Sequence, residues 1–439
     1  MSGTTLQMWL SLGVLAFFII GLVLAKWSMG LTGMTCCVLL ALFKVVPISQ
    51  AFNGATNKLL IMLAGLYVVS GAFAKTQLMD KIQGMMLGLQ NKKGMTLLLS
   101  VYAMTIALGQ FLPSAVLVPL MGTFTMALSA DTTSDVTPSR LMLPITGLAP
   151  MCQFVFPIGT GLTNFATFNA YYENFVTSDS QLLTVWEPFL FRIIPCVLVV
   201  MWSVIGYKIL PKKGALVDRS LVQTEKKKEE QEEKKKKAFY TPQQEKIVYI
   251  VFVLVMLTLV FSMQLGDLMY IVPGCGALVL AYTRTMTLNQ IKEHMCSDVV
   301  FLIIGILSLS SALSKTGAGK FLGESILGLM GSNPTPVFFL VVVCVIAVIM
   351  TSLMSNLATA AVLIPVAAVT AITAGWNPKP YVLSIYTMAF CAILLPSASS
   401  ATAIGHAFAG YNLKDSLKFT VPFSIVGIIG CVLAYYICY

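Results

Sequence analysis

A series of long apolar segments runs through this sequence, and each approaches or exceeds the roughly twenty residues that a helix needs to cross a bilayer. Only 10% of the 439 residues are charged, and the mean hydropathy is +0.85. A soluble domain carries about 25% charged residues, which cover its surface. The sequence therefore predicts an all-α polytopic membrane protein, and it excludes a disordered chain and a nucleic-acid-binding module.

The apolar segments form two sets, one before and one after a polar stretch. They lie at 8–25, 29–47, 57–74, 95–128, 141–170, 183–209, 247–265, 268–283, 298–314, 335–374, 381–410 and 419–438. Three of them, 95–128, 141–170 and 335–374, are too long for one simple span.

We interpret 95–128 and 335–374 as stretches that can each hold a span plus a re-entrant hairpin. The hairpins are expected at about 108–125 and about 352–374, and the segments 141–170 and 381–410 are expected to be broken spans. This interpretation gives about 11 transmembrane helices.

Residues 211–246 form the polar stretch, with eleven Lys or Arg and seven Asp or Glu residues. We interpret it as a cytoplasmic linker between a first half, 1–210, and a second half, 247–439, because basic loops stay in the cytoplasm. A tether to anionic lipid or to a partner is the alternative. Six spans before the linker and five after it predict a cytoplasmic N-terminus and an external C-terminus in a plasma (cell inner) membrane.

The two halves contain an internal repeat. Three pairs of segments match in order, at offsets of 240, 246 and 239 residues: 70–76 with 310–316, 109–119 with 355–365, and 157–163 with 396–402. If each unit holds an odd number of spans, the halves lie upside down relative to each other. Inverted repeats of this kind are typical of secondary transporters, which bind substrate near the midplane where the repeats meet.

Polar, helix-breaking stretches lie inside these repeats, at 110–114, 157–164, 355–359 and 396–406. Their hydroxyl and amide oxygens are suitable ligands for sodium. Helix N-termini beside them would attract a carboxylate or another anion. Small hydroxyl residues also let helices pack closely, which is the structural alternative, but two matched pairs favour a binding site.

Few ionisable residues fall within the spans. Lys44 and Lys58 lie near span ends, where we expect them to reach the interface. Arg192 is the interior candidate for a role in substrate binding or coupling, whereas His406 is interpreted as a packing residue rather than a proton relay. The sequence contains no motif for covalent catalysis or for a pump driven by nucleotide hydrolysis, so we predict that the chain is not an enzyme. It also predicts no covalent cofactor and no transition-metal site.

The second hairpin carries a specific resemblance. The segment 355–365 resembles the Ser-Asn-Thr hairpin signature of the divalent anion:sodium symporter family, within the ion transporter superfamily. Segments 158–160, 241–246 and 394–411 are similar to other landmarks of that family. The resemblance implies an elevator-type homodimer that has 11 spans, two re-entrant hairpins and two inverted repeats, and that carries dicarboxylates, citrate or sulfate with sodium.

The resemblance and the polar stretches together give the expected site residues. The expected substrate-binding residues are Ser355, Asn356, Gln110, Ser114 and Thr402. The expected sodium-binding residues are Ile158, Gly159, Thr160, Thr163, Asn164, Gln110, Ser355, Asn356, Thr359, Ala398, Ser399, Ser400 and Thr402. The sequence departs from the signature in two ways: 109–111 reads Gly-Gln-Phe in the first hairpin, and Leu357 replaces Thr in the second.

The predicted function is sodium-coupled symport of a small divalent organic anion, a di- or tricarboxylate, across the plasma membrane. One alternative keeps the fold and replaces this activity with proton-coupled or exchange transport of an organic or inorganic anion such as sulfate. A membrane sensor or subunit that does not transport is the alternative from another class.

Overall fold

The computed structural model describes residues 3–24, 26–77, 94–127, 137–157, 161, 163–176, 178–211, 240–331 and 334–439. Within these ranges all regular secondary structure is helical. The helices of eight or more residues are α1 Gly3–Leu24, α2 Met29–Leu42, α3 Lys58–Phe73, α4 Gly94–Gly109, α5 Ser114–Ala127, α6 Pro138–Met151, α7 Thr163–Tyr172, α8 Glu187–Gly206, α9 Pro242–Val260, α10 Leu268–Tyr282, α11 Leu288–Met295, α12 Asp298–Lys315, α13 Ala318–Leu329, α14 Pro336–Thr351, α15 Asn356–Thr373, α16 Lys379–Ala389, α17 Ser400–Ala409 and α18 Leu413–Cys438. Short helical turns lie at Ile48–Ala51, Asn53–Thr56, Glu173–Phe175, Asp179–Gln181, Tyr207–Ile209, Ser262–Leu265 and Pro396–Ala398.

Many of these helices are apolar enough for a membrane. In the described part, six segments have the length and composition to cross one: Thr5–Leu24, Glu187–Ile209, Pro242–Leu259, Leu288–Lys315, Asn356–Thr373 and Leu413–Cys438. Five shorter apolar helices accompany them: Met29–Leu42, Lys58–Phe73, Gly94–Gly109, Leu268–Tyr282 and Pro336–Thr351. The chain is therefore a multi-pass helical membrane protein.

Side-chain caps fix where several helices begin. Thr241 opens α9 with a capping box, in which its hydroxyl accepts from the backbone of Gln244 and the Gln244 side chain accepts from the backbone of Thr241. Asn57 caps α3 by accepting from the Leu59 N–H at 2.8 Å. These caps satisfy N–H groups that have no partner inside their own helix, which would be costly to leave unpaired away from water.

The stretches 95–128 and 335–374, for which the sequence predicted a span plus a hairpin, each contain two helices. Helices α4 and α5 are separated by residues 110–113, and α14 and α15 are separated by residues 352–355. A span plus a hairpin would need three helices, so each stretch has the helices of a hairpin alone. The sequence patterns 141–170 and 381–410 are also interrupted, because α6 ends at Met151 before α7 begins, and α16 ends at Ala389 before α17 begins.

The two halves of the chain pack against each other reciprocally. Helix α2 packs on α12, and its counterpart α10 packs on α3. Helix α5 of the first half packs on α17, while α15 of the second half packs on α7. Small residues allow these contacts: a Cβ added at Gly305 in α12 would lie 2.4 Å from the Cα of Gly33 in α2. This exchange of partners brings the interrupted segments of both halves together.

Candidate functional site

A cavity of about 620 Å³ lies where the interrupted segments meet. Its walls come from both hairpins, both broken segments, and helices α2, α3 and α12. The lining residues are Met29, Tyr67, Ser114, Gln153, Phe154, Thr163, Asn164, Thr167, Phe168, Val299, Leu353, Met354, Ser355, Asn356, Leu357, Tyr386, Phe390, Ala398 and Ser399. Every one of these residues is neutral, so direct contacts with an ion must come from hydrogen-bond donors, oxygen acceptors and helix dipoles.

The tip of the second hairpin contributes the start of α15. Ser355 caps this helix by accepting from the Ala358 N–H at 3.2 Å. The other N–H groups of the first turn have no acceptor within the helix. The Asn356 side-chain oxygen accepts from the Thr351 hydroxyl at 3.0 Å. An amide whose oxygen is engaged offers its NH₂ donors to a ligand. The tip therefore presents hydrogen-bond donors to the cavity, and anion binding by Ser355 and Asn356 stays a prediction.

One turn further along α15, Thr359 is fully buried and does not line the cavity. Its hydroxyl oxygen has no hydrogen-bond partner in the structure. A buried hydroxyl without a partner is uncommon. An oxygen of this kind, close to the hairpin tip, fits the expectation that Thr359 contacts a cation, and it remains an expectation.

The second broken segment is held together by hydroxyl groups. The buried Thr402 hydroxyl donates across the break to the Ala392 carbonyl at 2.7 Å, and Ser399 accepts from the Thr402 N–H at 3.1 Å. Ala398 and Ser399 line the cavity, whereas Thr402 lies behind them. The Ser400 side chain lies outside the described residues, although Ser400 begins α17.

The first broken segment is linked to the second through Asn164. Its NH₂ group donates to the Phe154 carbonyl at 2.8 Å, and its oxygen accepts from the Tyr386 hydroxyl at 3.1 Å. Thr163 and Asn164 both line the cavity. Three expected sodium ligands, Ile158, Gly159 and Thr160, lie outside the described residues.

The first hairpin differs from the second in what its tip presents. Gln110 is buried, and its amide donates to the Ile106 and Cys152 carbonyls at 2.8 and 2.9 Å while accepting from the Phe156 N–H at 3.0 Å. All these partners are backbone groups, and Gln110 does not line the cavity. The structure therefore brings Ser114, but not Gln110, to the cavity wall.

This difference has a simple cause in the backbone. The ungapped repeat match pairs Gln110 with Asn356, but α5 begins at Ser114, after Pro113, whereas α15 begins at Asn356 itself. Gln110 thus lies in the turn that ends the incoming helix, where its side chain can reach the broken segment. It clamps that segment instead of facing a ligand.

Several cavity residues were not predicted from the sequence. Met29, Tyr67 and Val299 come from helices outside the hairpins, and Tyr386 and Phe390 form an aromatic part of the wall. The Ser355 hydroxyl donates to the Met29 sulfur at 3.5 Å, and Tyr67 lies near Thr163 and Thr167. Apolar and aromatic residues inside spans carry no sequence signal that separates a cavity wall from a packed core.

The described residues contain no group of three or more His, Cys, Asp or Glu side chains that could hold a metal ion. His406 is buried, and its Nδ1 lies 2.9 Å from the Thr402 carbonyl oxygen one turn earlier. The other ring nitrogen, Nε2, is buried without a hydrogen-bond partner among the described residues, so the packing interpretation of His406 stays a prediction.

Residues 15–386 match the profile of the CitMHS family, described as citrate transporters. The chain belongs to this citrate transporter family. Its relatives include Solute carrier family 13 member 2 of Rattus norvegicus, which is 25% identical over 149 residues, or 34% of this chain and 25% of that protein. The Sodium-dependent dicarboxylate transporter SdcS of Staphylococcus saprophyticus is 23% identical over 147 residues, or 34% of this chain and 28% of that protein.

The alignments with these two relatives cover only about a quarter of the length of each relative. These findings confirm the resemblance to the divalent anion:sodium symporter family. The crystal structure of the Alcanivorax borkumensis YdaH transporter shares the fold, with a TM-score of 0.60 over 99% of this chain and 98% of that chain at 13% identity. At this identity the likeness shows a shared fold.

A second cavity, of about 710 Å³, contains a carboxyl group outside the membrane-spanning helices. Glu173 follows α7, accepts from the Asn57 amide, and lies near Lys58, whose Nζ is 4.7 Å from the centre of the Tyr270 ring. Burial raises the pKa of Glu173 from its ordinary 4.5 to about 7, although Asn57 and Lys58 oppose the shift. The folded protein therefore binds this proton more tightly than the unfolded chain does.

We expect the pH dependence of stability to change in Glu173→Gln. A raised pKa stabilises the fold fully below about pH 4.5, and this contribution is lost as the pH rises through about 7. The melting temperature of the purified transporter, measured from pH 5 to pH 8, should fall less steeply in the variant than in the wild type. Glu324→Gln, which changes an exposed carboxylate in a surface pair with Lys320, is the control. Equal slopes in all three proteins would contradict the prediction.

Proposed function

We propose that the chain is a secondary active transporter that carries a small divalent organic anion, a di- or tricarboxylate, together with sodium. The observation that carries this proposal is the cavity between the two interrupted pairs, where the N-terminus of α15 meets hydroxyl and amide groups. Its volume of about 620 Å³ falls within the usual range for small-molecule sites. The sodium-dependent dicarboxylate relative supports the choice of ion and substrate.

We further propose two inverted repeats. If each two-helix stretch, α4–α5 and α14–α15, is a re-entrant hairpin that returns to the side it entered, the helices on either side of the linker make five crossings. An odd number of crossings turns the second half upside down relative to the first. The described residues thus give ten spans, whereas the sequence predicted 11.

With a basic linker in the cytoplasm of the plasma (cell inner) membrane, five crossings on each side put both ends of the chain outside. This departs from the sequence prediction for the N-terminus and keeps the prediction for the C-terminus. Labelling of end-placed cysteines with a membrane-impermeant thiol reagent in intact cells distinguishes the two topologies.

We propose an elevator-type movement in a homodimer, as the family resemblance implies. The cavity walls support a moving boundary at this site, because Met29, Tyr67 and Val299 face hairpins and broken segments from α2, α3 and the start of α12. A domain that carries the hairpins past these three helices would open the cavity first to one side and then to the other. Crosslinking Met29 to Ser355 through introduced cysteines should stop transport, and reducing the crosslink should restore the uptake of the same double-cysteine protein.

The test of coupling is uptake in proteoliposomes at fixed pH, with sodium or choline outside. We expect uptake of labelled succinate, malate or citrate to rise at least tenfold with sodium, because an ion gradient that is coupled to transport drives accumulation. Equal uptake in choline would reject sodium coupling and leave proton coupling or exchange. Ligand binding without counterflow of labelled substrate would instead favour a protein that does not transport.

One observation favours the proton-coupled or exchange alternative. At the first hairpin tip, the Gln110 side chain is hydrogen-bonded to backbone groups. This tip therefore offers fewer free oxygens to a first cation than a Ser-Asn-Thr signature would. If uptake is independent of sodium but follows a pH gradient, this alternative replaces sodium symport on the same fold.

A further inference from the structure

Arg192 in α8 is a buried cation whose positive charge is not neutralised by a carboxylate in the described part of the chain. Its side chain is fully buried, and no Asp or Glu oxygen of the described residues lies within ion-pair distance of it. Burying an unpaired charge is costly, and an ionisable residue inside a membrane domain usually has a functional reason. Arg192 therefore needs a source of negative charge.

Part of that source is the end of α6. The guanidinium donates to the Met151 and Gln153 carbonyls at 3.1 Å and to the Phe154 carbonyl at 3.3 Å. The C-terminus of a helix carries only about half a unit of negative charge. A net positive charge therefore remains beside the first broken segment.

This charge lies directly behind the cavity wall. The Arg192 guanidinium carbon is 4.8 Å from the centre of the Tyr386 ring and 6.0 Å from the centre of the Phe390 ring. Both rings line the cavity, as do Gln153 and Phe154, whose carbonyls Arg192 holds. The field of the guanidinium crosses an apolar wall in which little water screens it.

We propose that Arg192 supplies the fixed positive charge that attracts the transported anion, acting through the wall and without touching the ligand. It is a positioning residue, and it favours divalent over monovalent anions because the attraction scales with the charge of the ligand. This inference rests on the proposed anion site and deepens it, since every lining side chain in the described part of that site is neutral.

The expected size of the effect follows from Coulomb's law. Two unit charges about 10 Å apart, at an effective dielectric constant of about 20, change a binding constant by a factor of about ten. Removing the charge should therefore weaken a monovalent anion about tenfold and a divalent anion of the same shape about a hundredfold. A residue that only holds the broken segment in shape would weaken both anions equally.

The experiment compares succinate with its monomethyl ester, by calorimetric titration at fixed sodium and pH, in wild type and Arg192→Gln. If ligand screening selects sulfate, the pair is sulfate and methyl sulfate. We expect the preference for the divalent anion to fall about tenfold in the variant. Arg140→Gln is the matched control, because Arg140 also donates to backbone carbonyls, those of Lys208 and Leu210, and does not line the cavity.

A second variant keeps Arg192 in place. The Cys196 thiol lies 3.5 Å from the same Met151 carbonyl that Arg192 binds, so Cys196→Asp sets a carboxylate beside the guanidinium. The divalent preference should fall in this variant too. If the preference for the divalent anion is unchanged in both variants, the proposed role of Arg192 is wrong and the anion site still stands. If the wild-type protein binds neither anion of the pair, the proposed anion site itself is wrong.

Discussion

Replacing Asn356 with alanine should reduce sodium-stimulated uptake about a hundredfold and leave the protein folded. Asn356 lines the cavity at the start of α15, and its engaged oxygen leaves the NH₂ donors for the anion. Hydrogen bonds to charged groups contribute about 1.5–3 kcal/mol each, so losing such donors accounts for a change of this size. Uptake in proteoliposomes and the melting temperature in detergent measure the two effects.

The fold should tolerate this change because of the neighbouring contacts. The Thr351 hydroxyl loses Asn356 but keeps the Ala389 carbonyl as an acceptor at 2.5 Å. Asn53→Ala is the control, since Asn53 is exposed and its side chain accepts only from the nearby Thr56 hydroxyl. Uptake in Asn356→Ala within threefold of the control would remove Asn356 from the site.

The membrane character and the interrupted segments could be predicted from the sequence because each has a strong local signal. A run of about twenty apolar residues indicates a spanning helix, and a polar, helix-breaking stretch inside such a run, as at 355–359, indicates an interruption. The structure confirms the helical, multi-pass fold. Of the expected site residues, it brings Ser114, Thr163, Asn164, Ser355, Asn356, Ala398 and Ser399 to one cavity.

What the sequence did not predict depends on contacts between distant segments. Gln110 matched Asn356 in the repeat, but α5 begins four residues after Gln110. The Gln110 amide therefore binds the backbone of the first broken segment at Cys152. Tyr386 and Phe390 became part of a wall only because α16 packs beside the first broken segment and Arg192. Such pairings follow from tertiary packing, and no local pattern contains them.

Replacing Gln110 with methionine should destabilise the transporter strongly and reduce uptake by at least tenfold. Methionine keeps the length of the side chain but removes its hydrogen bonds to the Cys152 carbonyl and the Phe156 N–H. Leaving the buried Cys152 carbonyl unpaired costs about 1–3 kcal/mol. Losing the partly buried hydrogen bond of the Phe156 N–H costs about 1 kcal/mol more, so we expect a loss of about 2–4 kcal/mol. Unfolding in denaturant, followed by circular dichroism, measures the loss.

The cause of the lost uptake distinguishes a clamp from a ligand contact. If Gln110 holds the first broken segment, Gln110→Met should weaken every anion by the same factor, because Gln153 and Phe154 of that segment line the cavity. Gln264→Met, which changes an exposed glutamine, should leave stability and uptake unchanged. The contrary result is a Gln110→Met protein that is as stable as wild type but has lost sodium dependence. That result would make Gln110 a direct cation ligand, as the sequence predicted. The first hairpin tip would then have to rearrange when sodium binds.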